Sequence, residues 1–315
     1  MPEWQWFPGL LMMSGWIKKY VAHLTLGRVQ TLGRMLGSLL FLVLRDFRRI
    51  ARRNLQFVYP HWSPQRAQRF TREVFQQLGM TIVETAWMGC LSRSQCLRHI
   101  KVEGATYLNE AIEGGRGIII ISAHLGNWES ALQFFPLYFH KPLLAVVKPL
   151  KLGFADSWVQ NLRTRFGNQM VPKKKAFGKL LRTLRQGGAV GLMIDVASKK
   201  RGVSARFMGY RASATPAAAM LAMRSKSPVL PMICTRAPNG RLILRVEPPV
   251  PIRRTANLRA DLLYNVQRMT DIIEQAVLQR PEQWLWLQKR WKRYYPDLYY
   301  DHHLVAGRRK DKQKG

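Results

Sequence analysis

The sequence predicts an α/β fold: a mixed sheet covered by helices and preceded by an amphipathic helical arm. Three observations point to it. From about residue 100 onward, short apolar, β-rich runs recur: "GIIIISA" at 117–123, "PLLAVVK" at 142–148, "GAVGLMID" at 188–195, "SPVLPMICT" at 227–235 and "GRLILRVEPP" at 240–249. Helix-like segments alternate with several of them, namely "ESALQFFPLYF", "FADSWVQNLRTRF", "FGKLLRTLRQ" and "PAAAMLAMRS", which is the pattern of strands crossing over through helices. The strands are also continuously apolar rather than alternating, as expected of a sheet covered on both faces.

The N-terminal part reads differently. In "RVQTLGRMLGSLLFLVL" at 28–44, Val29, Leu32, Met35, Leu36, Leu39, Leu40, Val43 and Leu44 recur at three/four spacing, with Arg28, Thr31, Arg34 and Ser38 off the stripe. The uninterrupted apolar run ends at Arg45, too short to cross a bilayer. "RDFRRIARRN" follows, and an apolar stripe beside an arginine cluster suits a helix lying in a membrane interface. The alternative is a core-facing helix with a solvated basic end. "YPHWSP" at 59–64 breaks the pattern, a second helical stretch covers 65–90, and a late helix covers 261–277. The expected organisation is a helical membrane-association arm over 1–60, an α/β domain over 61–300 and a disordered basic tail over 301–315. The opening "MPEWQWFPGLLMMSGW" lacks the positive start of a signal peptide, because Glu3 is the only charged side chain in it.

Charge narrows the partners. The 315 residues carry 51 Lys+Arg against 18 Asp+Glu, a net +33. Such a field implies polyanions: nucleic acid, an anionic membrane, a phosphorylated lipid or an acidic protein. Tryptophans and tyrosines between basic residues near 284–295 permit base stacking, but no helix-turn-helix, RRM or zinc-finger pattern is present, so no nucleic-acid partner is expected. Cys90, Cys96 and Cys234 show no metal spacing and suit a reducing compartment.

The chemistry-bearing stretch is "GIIIISAHLGNWES". A His-x-x-x-x-Glu/Asp pair is weak evidence alone, since seven histidines and 18 acids in 315 positions give about 0.4 chance pairs. Within one regular helix, residues five apart point about 140° away from each other. His124 and Glu129 converge only if His124 precedes a helix and Glu129 lies in its first turns. That places His124 at the carboxyl end of a strand, where open α/β sheets hold their ligands. Two readings stand: a general base oriented by a carboxylate, or a histidine satisfied at a helix start with Glu129 favoured by the helix dipole. No GxSxG elbow, zinc HExxH or dinucleotide loop is present, so neither a protein nucleophile, a metal nor a cofactor is expected. Residues 172–211 are strongly basic with Asp195 as their single acid, at another strand end. It is either an ion-pair organiser or a catalyst.

Five ordered segments resemble the lipid A biosynthesis acyltransferases of the lauroyl/myristoyl type: "RRNLQFVYPHWSP", "SAHLGNWES", "VVKPLKLGFADSWVQNLRTRFGN", "GAVGLMIDVASKKRGVSARFMGYRASAT" and "PEQWLWLQKRWK". The resemblance extends over nearly the whole chain. It implies transfer of an acyl group from an acyl-carrier-protein thioester to a hydroxyl of a phosphorylated glucosamine lipid, at the cytoplasmic face of the bacterial inner membrane. By that likeness His124 is the general base and Glu129 its partner. Asn127, with Gly126, is placed for oxyanion stabilisation or support. Lys148, Asp156, Arg163 and Asp195 fall at the family's substrate-binding motif positions. Three residues depart from its pattern: Lys148 stands for an arginine, Val196 for a polar residue and Gln288 for a common histidine. These departures bear on the acceptor more than on the reaction, and a different glycolipid or an amino-acid lipid is the nearest alternative. A non-catalytic membrane scaffold is a third reading.

Overall fold

The computed structural model describes residues 15–148, 153–174, 176–199 and 202–300. Residues 1–14, most of the segment weighed as a signal peptide, and the expected tail at 301–315 lie outside them. The chain opens with five helices, α1 (Gly15–Ala22), α2 (Leu26–Val43), α3 (Arg45–Val58), α4 (Pro64–Met88) and α5 (Arg93–His99). It continues through β1 (Ile100–Glu103), α6 (Ala105–Glu113), β2 (Ile118–Ser122), α7 (Trp128–Phe139) and β3 (Leu143–Val147). Next come α8 (Gly153–Thr164), β4 (Gln169–Pro172), α9 (Ala176–Arg185) and β5 (Ala189–Met193). A hairpin of β6 (Val203–Phe207) and β7 (Tyr210–Ala214) precedes α10 (Ala217–Ser225), β8 (Val229–Arg236), β9 (Leu242–Val246) and α11 (Leu258–Gln279).

Seven strands form one mixed sheet in the order β1-β9-β8-β2-β5-β3-β4. The strands β8, β2, β5, β3 and β4 run parallel, and β9 turns antiparallel against β8. The α/β expectation therefore holds, including a sheet of mixed direction. In β2 the isoleucines divide between two cores: Ile119 and Ile121 face one, Ile118 and Ile120 the other. Helices cover both faces, so a strand with no polar side to present must be apolar throughout. β2 lies between β5 and β8 near the middle of the sheet.

Local sequence accounts for the helix starts. Ser63 caps α4 by accepting a hydrogen bond from the amide of Arg66, with Pro64 in the first turn. Ser92 and Gln95 form a reciprocal capping box at α5.

The face of α2 differs from the expected stripe. It buries Val29, Gln30, Gly33, Gly37 and Phe41, whereas Leu32, Met35, Leu39 and Val43 are exposed. Glycine explains which face is buried. A Cβ on Gly79 of α4 would lie 2.2 Å from the carbonyl oxygen of Gly33 and 2.4 Å from the nitrogen of Gly37. The two backbones approach too closely for a larger residue, so Leu32, Met35, Leu39 and Val43 of the apolar stripe are left on the outward face. Among the described residues no helix is long and apolar enough to cross a membrane.

Candidate active site

β2 ends at Ser122, and the chain turns through Ala123–Asn127 before α7 begins. Gly126 has a φ of +62°, and a Cβ there would meet the Cys234 carbonyl oxygen at 2.1 Å. Only glycine fits this pass over β8. The Gly126 amide donates to the Gln283 carbonyl and the Asn127 amide to the Cys234 carbonyl. The Asn127 side chain caps α7, its Oδ1 accepting from the Ser130 amide at 2.9 Å, while its Nδ2 donates to Glu84 Oε2 at 2.8 Å. With both amides and the carboxamide committed in this way, the geometry carries support rather than oxyanion donation for Asn127 and Gly126.

The turn presents His124 to Asp195. His124 Nδ1 and Asp195 Oδ1 are 2.9 Å apart, and the His124 backbone N–H donates to Asp195 Oδ2, also at 2.9 Å. Trp284 Nε1 donates to the same Oδ2 at 3.0 Å and Gln288 Nε2 at 3.3 Å. The Asp195 side chain has no exposure, whereas His124 keeps 25%. Burial works against the Asp195 charge, but the charge, ring and backbone N–H of His124, together with the Trp284 hydrogen bond, outweigh it and hold its pKa below the usual value. At His124 burial favours the neutral ring, yet the charge and hydrogen bond of Asp195, with Glu129 further off, raise its pKa against the opposing charge of Arg163.

This corrects the expected pairing, because the carboxylate hydrogen-bonded to His124 is Asp195 and not Glu129. Glu129 lies in the first turn of α7 as anticipated, but it grips Arg163 of α8. Arg163 Nε donates to Glu129 Oε2 at 2.8 Å and its Nη2 to Oε1, while Trp128 Nε1 also donates to Oε1 at 3.2 Å. The guanidinium fork matches the two carboxylate oxygens. Glu129 and Arg163 remain electrostatically felt at His124. His124, Glu129, Arg163 and Asp195 thus converge on one end of the sheet. Asp156, in the first turn of α8, acts on Arg163 through its charge. Lys148 follows β3, two strands from β2 at the same sheet edge, and is exposed.

A buried polar cluster lies beneath the turn. Glu84 of α4 receives Arg236 at the end of β8 through Nε and Nη2, and Gln30 of α2 donates to Glu84 Oε1 at 2.9 Å. Thr81 donates to the Gly126 carbonyl at 2.8 Å. Nothing in the sequence pattern marked Glu84 or Arg236; an acid inside an otherwise apolar helical run was the available signal.

Residues 12–293 match the family model described as bacterial lipid A biosynthesis acyltransferase. The chain belongs to that acyltransferase family. It is similar to the lipid A biosynthesis lauroyltransferase of Escherichia coli K12, 24% identical over 271 residues that cover 84% of this chain and 85% of the relative. The palmitoleoyltransferase of the same organism is 26% identical over 265 residues, covering 83% and 84%. A lipid A biosynthesis acyltransferase of Haemophilus influenzae is 24% identical over 243 residues, covering 75% and 73%. In this lipid A acyltransferase family member, the match takes in both the helical N-terminal part and the whole sheet.

Proposed function

We propose that the chain transfers a fatty acyl group from an acyl-carrier-protein thioester to a hydroxyl of a lipid A precursor, with His124 as general base. The observation that carries this reading is the His124–Asp195 pair. Asp195 engages Nδ1, which fixes the proton there and leaves Nε2 as the basic nitrogen. Among the described residues Nε2 has no hydrogen-bond partner, and the ring is partly exposed.

Nε2 takes the proton of the acceptor hydroxyl as its oxygen attacks the thioester carbonyl. The tetrahedral oxyanion collapses, the C–S bond breaks, and the thiolate recovers the proton from the imidazolium. No acyl-enzyme is required. Asp195 stabilises the imidazolium formed along the way. Arg163, held in orientation by Glu129, supplies positive charge beside the histidine for the oxyanion or for an acceptor phosphate. Lys148 and Asp156 complete the acceptor side.

The same reading places the work at the cytoplasmic face of the inner membrane. It is supported by the outward face of α2, where Leu32, Met35, Leu39, Leu42 and Val43 are exposed, with Phe47 of α3 beside them. Arginines 45, 48, 49, 52 and 53 follow on α3, a composition suited to anionic headgroups. This face, rather than a separate arm, is the membrane-association element of the proposal. Mass spectrometry of lipid A from cells with and without the protein tests the acceptor. One missing acyl chain is expected; an unchanged profile redirects the assignment to another lipid.

A further inference from the structure

Arg290 is the unexplained charge in the interior. It has no solvent exposure, and its Nε and Nη2 are buried without a hydrogen-bond partner. Its Nη1 donates to the Ser213 carbonyl at 2.8 Å, and its guanidinium lies 5.0 Å from the Phe207 ring centroid. Among the described residues no carboxylate is within ion-pair distance of it. A buried cation with two of its three guanidinium nitrogens unpartnered is costly unless its charge serves something nearby.

Its surroundings lead to Asp195. Phe207 also packs on Trp284, their ring centroids 5.3 Å apart, and Trp284 donates to Asp195. Gln288, another donor to Asp195, offers its carbonyl to the Arg290 amide at 2.9 Å. Ser213, which receives Arg290, exchanges hydrogen bonds with Ser198, three residues beyond Asp195. Arg290 is therefore tied from two sides to the segments that hold Asp195. Burial lowers its pKa to about 10, and Asp195 and Tyr299 act on it through charge, so it stays charged at neutral pH.

A general base must rest as a neutral imidazole, and in that state Asp195 is a fully buried carboxylate with no charged partner at the histidine. We propose that Arg290 is a positioning residue for the His124–Asp195 pair, the fixed buried cation that keeps Asp195 ionised while the His124 ring is neutral. This rests on His124 being the base. The other charges facing the pair are Glu129 of α7 and Arg163 of α8. Near Arg290 stand Tyr299 and Arg293, the latter bonded to Ser213 Oγ. Removing a cation from beside the pair makes it easier for the pair to bind a proton.

The test is an NMR titration of the His124 ring in the full chain labelled with 13Cε1-histidine, the signal assigned by its loss in His124→Gln. Arg290→Gln and Arg290→Met are each expected to move the midpoint up by about one pH unit. Arg290→Lys is expected to stay near the wild-type midpoint. An unmoved or lowered midpoint in the neutral variants overturns the proposal, as does a rise in the lysine variant equal to theirs. If neither neutral variant folds, the lysine variant decides: folded with the wild-type midpoint supports the charge role, unfolded or shifted overturns it. The titration reads protonation without turnover, so failure of the acyl-transfer reading would be seen separately, in a product assay.

Discussion

Asp195 accepts two hydrogen bonds from one residue, the backbone N–H and the ring Nδ1 of His124, each at 2.9 Å. The double grip fixes both where the turn sits and which ring nitrogen carries the proton. It ties Asp195, reached across 71 residues of chain, directly to the proposed base.

Asp195→Asn should lower kcat by about 10²- to 10⁴-fold while the protein stays folded. In the proposed reaction His124 must be neutral to act, so its raised pKa should set the acid limb of kcat/KM above the ordinary 6.5. Without the carboxylate that limb should move to lower pH. The same linkage governs stability. The Asp195 contribution, from a depressed pKa, is present above the unfolded value and lost as pH falls through the folded one. The His124 contribution, from a raised pKa, is present below about 6.5 and lost as pH rises through the folded value. A pH–rate series on both proteins checks the direction; a limb that does not move contradicts the pairing.

Glu84 and Arg236 are both buried, and their ion pair anchors Asn127 under the turn. Breaking such a pair from one side strands a charge, so Glu84→Gln should cost about 3–5 kcal/mol in denaturant unfolding. Replacing both partners with apolar residues should cost less than the single changes sum to, a coupling that a double-mutant cycle measures. Purely additive costs would mean the pair is not a unit.

The α2–α4 contact depends on glycine. Gly79→Ala forces the helices apart at Gly33 and Gly37 and should destabilise by about 1–3 kcal/mol. Gly178→Ala, within α9 and facing open space, should stabilise by about 0.5–1 kcal/mol. Thermal unfolding of the two variants should therefore shift in opposite directions.

Met35→Glu with Leu39→Glu places two charges on the exposed face of α2. Partition onto vesicles containing phosphatidylglycerol should fall at least about tenfold, with little change in thermal stability because both side chains face outward. Unchanged partition would remove this face from the membrane contact.

Legibility of the fold in the sequence followed burial. β2, β3, β5, β8 and β9 were readable because helices cover the sheet they form, and their apolar runs carry little else. β1, β4 and the β6–β7 hairpin were missed because short edge or paired strands such as "IKVE" and "QMVP" keep polar residues on an open side. The apolar stripe of α2 was visible, with an interface-facing and a core-facing direction both open to it, but the buried contact was not, because it is made by glycines that hydrophobic periodicity ignores. At the site, the five-residue step from His124 to Glu129 correctly located both residues around a strand-to-helix turn. It misassigned the partner, since local spacing favours a neighbour in sequence and the true contact closes through the sheet. Asp195 was visible as a lone acid at a strand end among cations. Arg290 was hidden in a basic run, where only burial separates a functional cation from a solvated one.

His124 as the base of an acyl transfer is tested most directly by product formation by the purified full chain from an acyl-carrier-protein thioester and an underacylated lipid A precursor, read by mass spectrometry of the lipid. Wild-type protein should add one acyl chain, and His124→Ala, folded by its thermal transition, should add it at least about 10³-fold more slowly. Equal acylation by the two proteins would contradict His124 as the base, and no acylation by the wild type would contradict the proposed transfer between this donor and this acceptor.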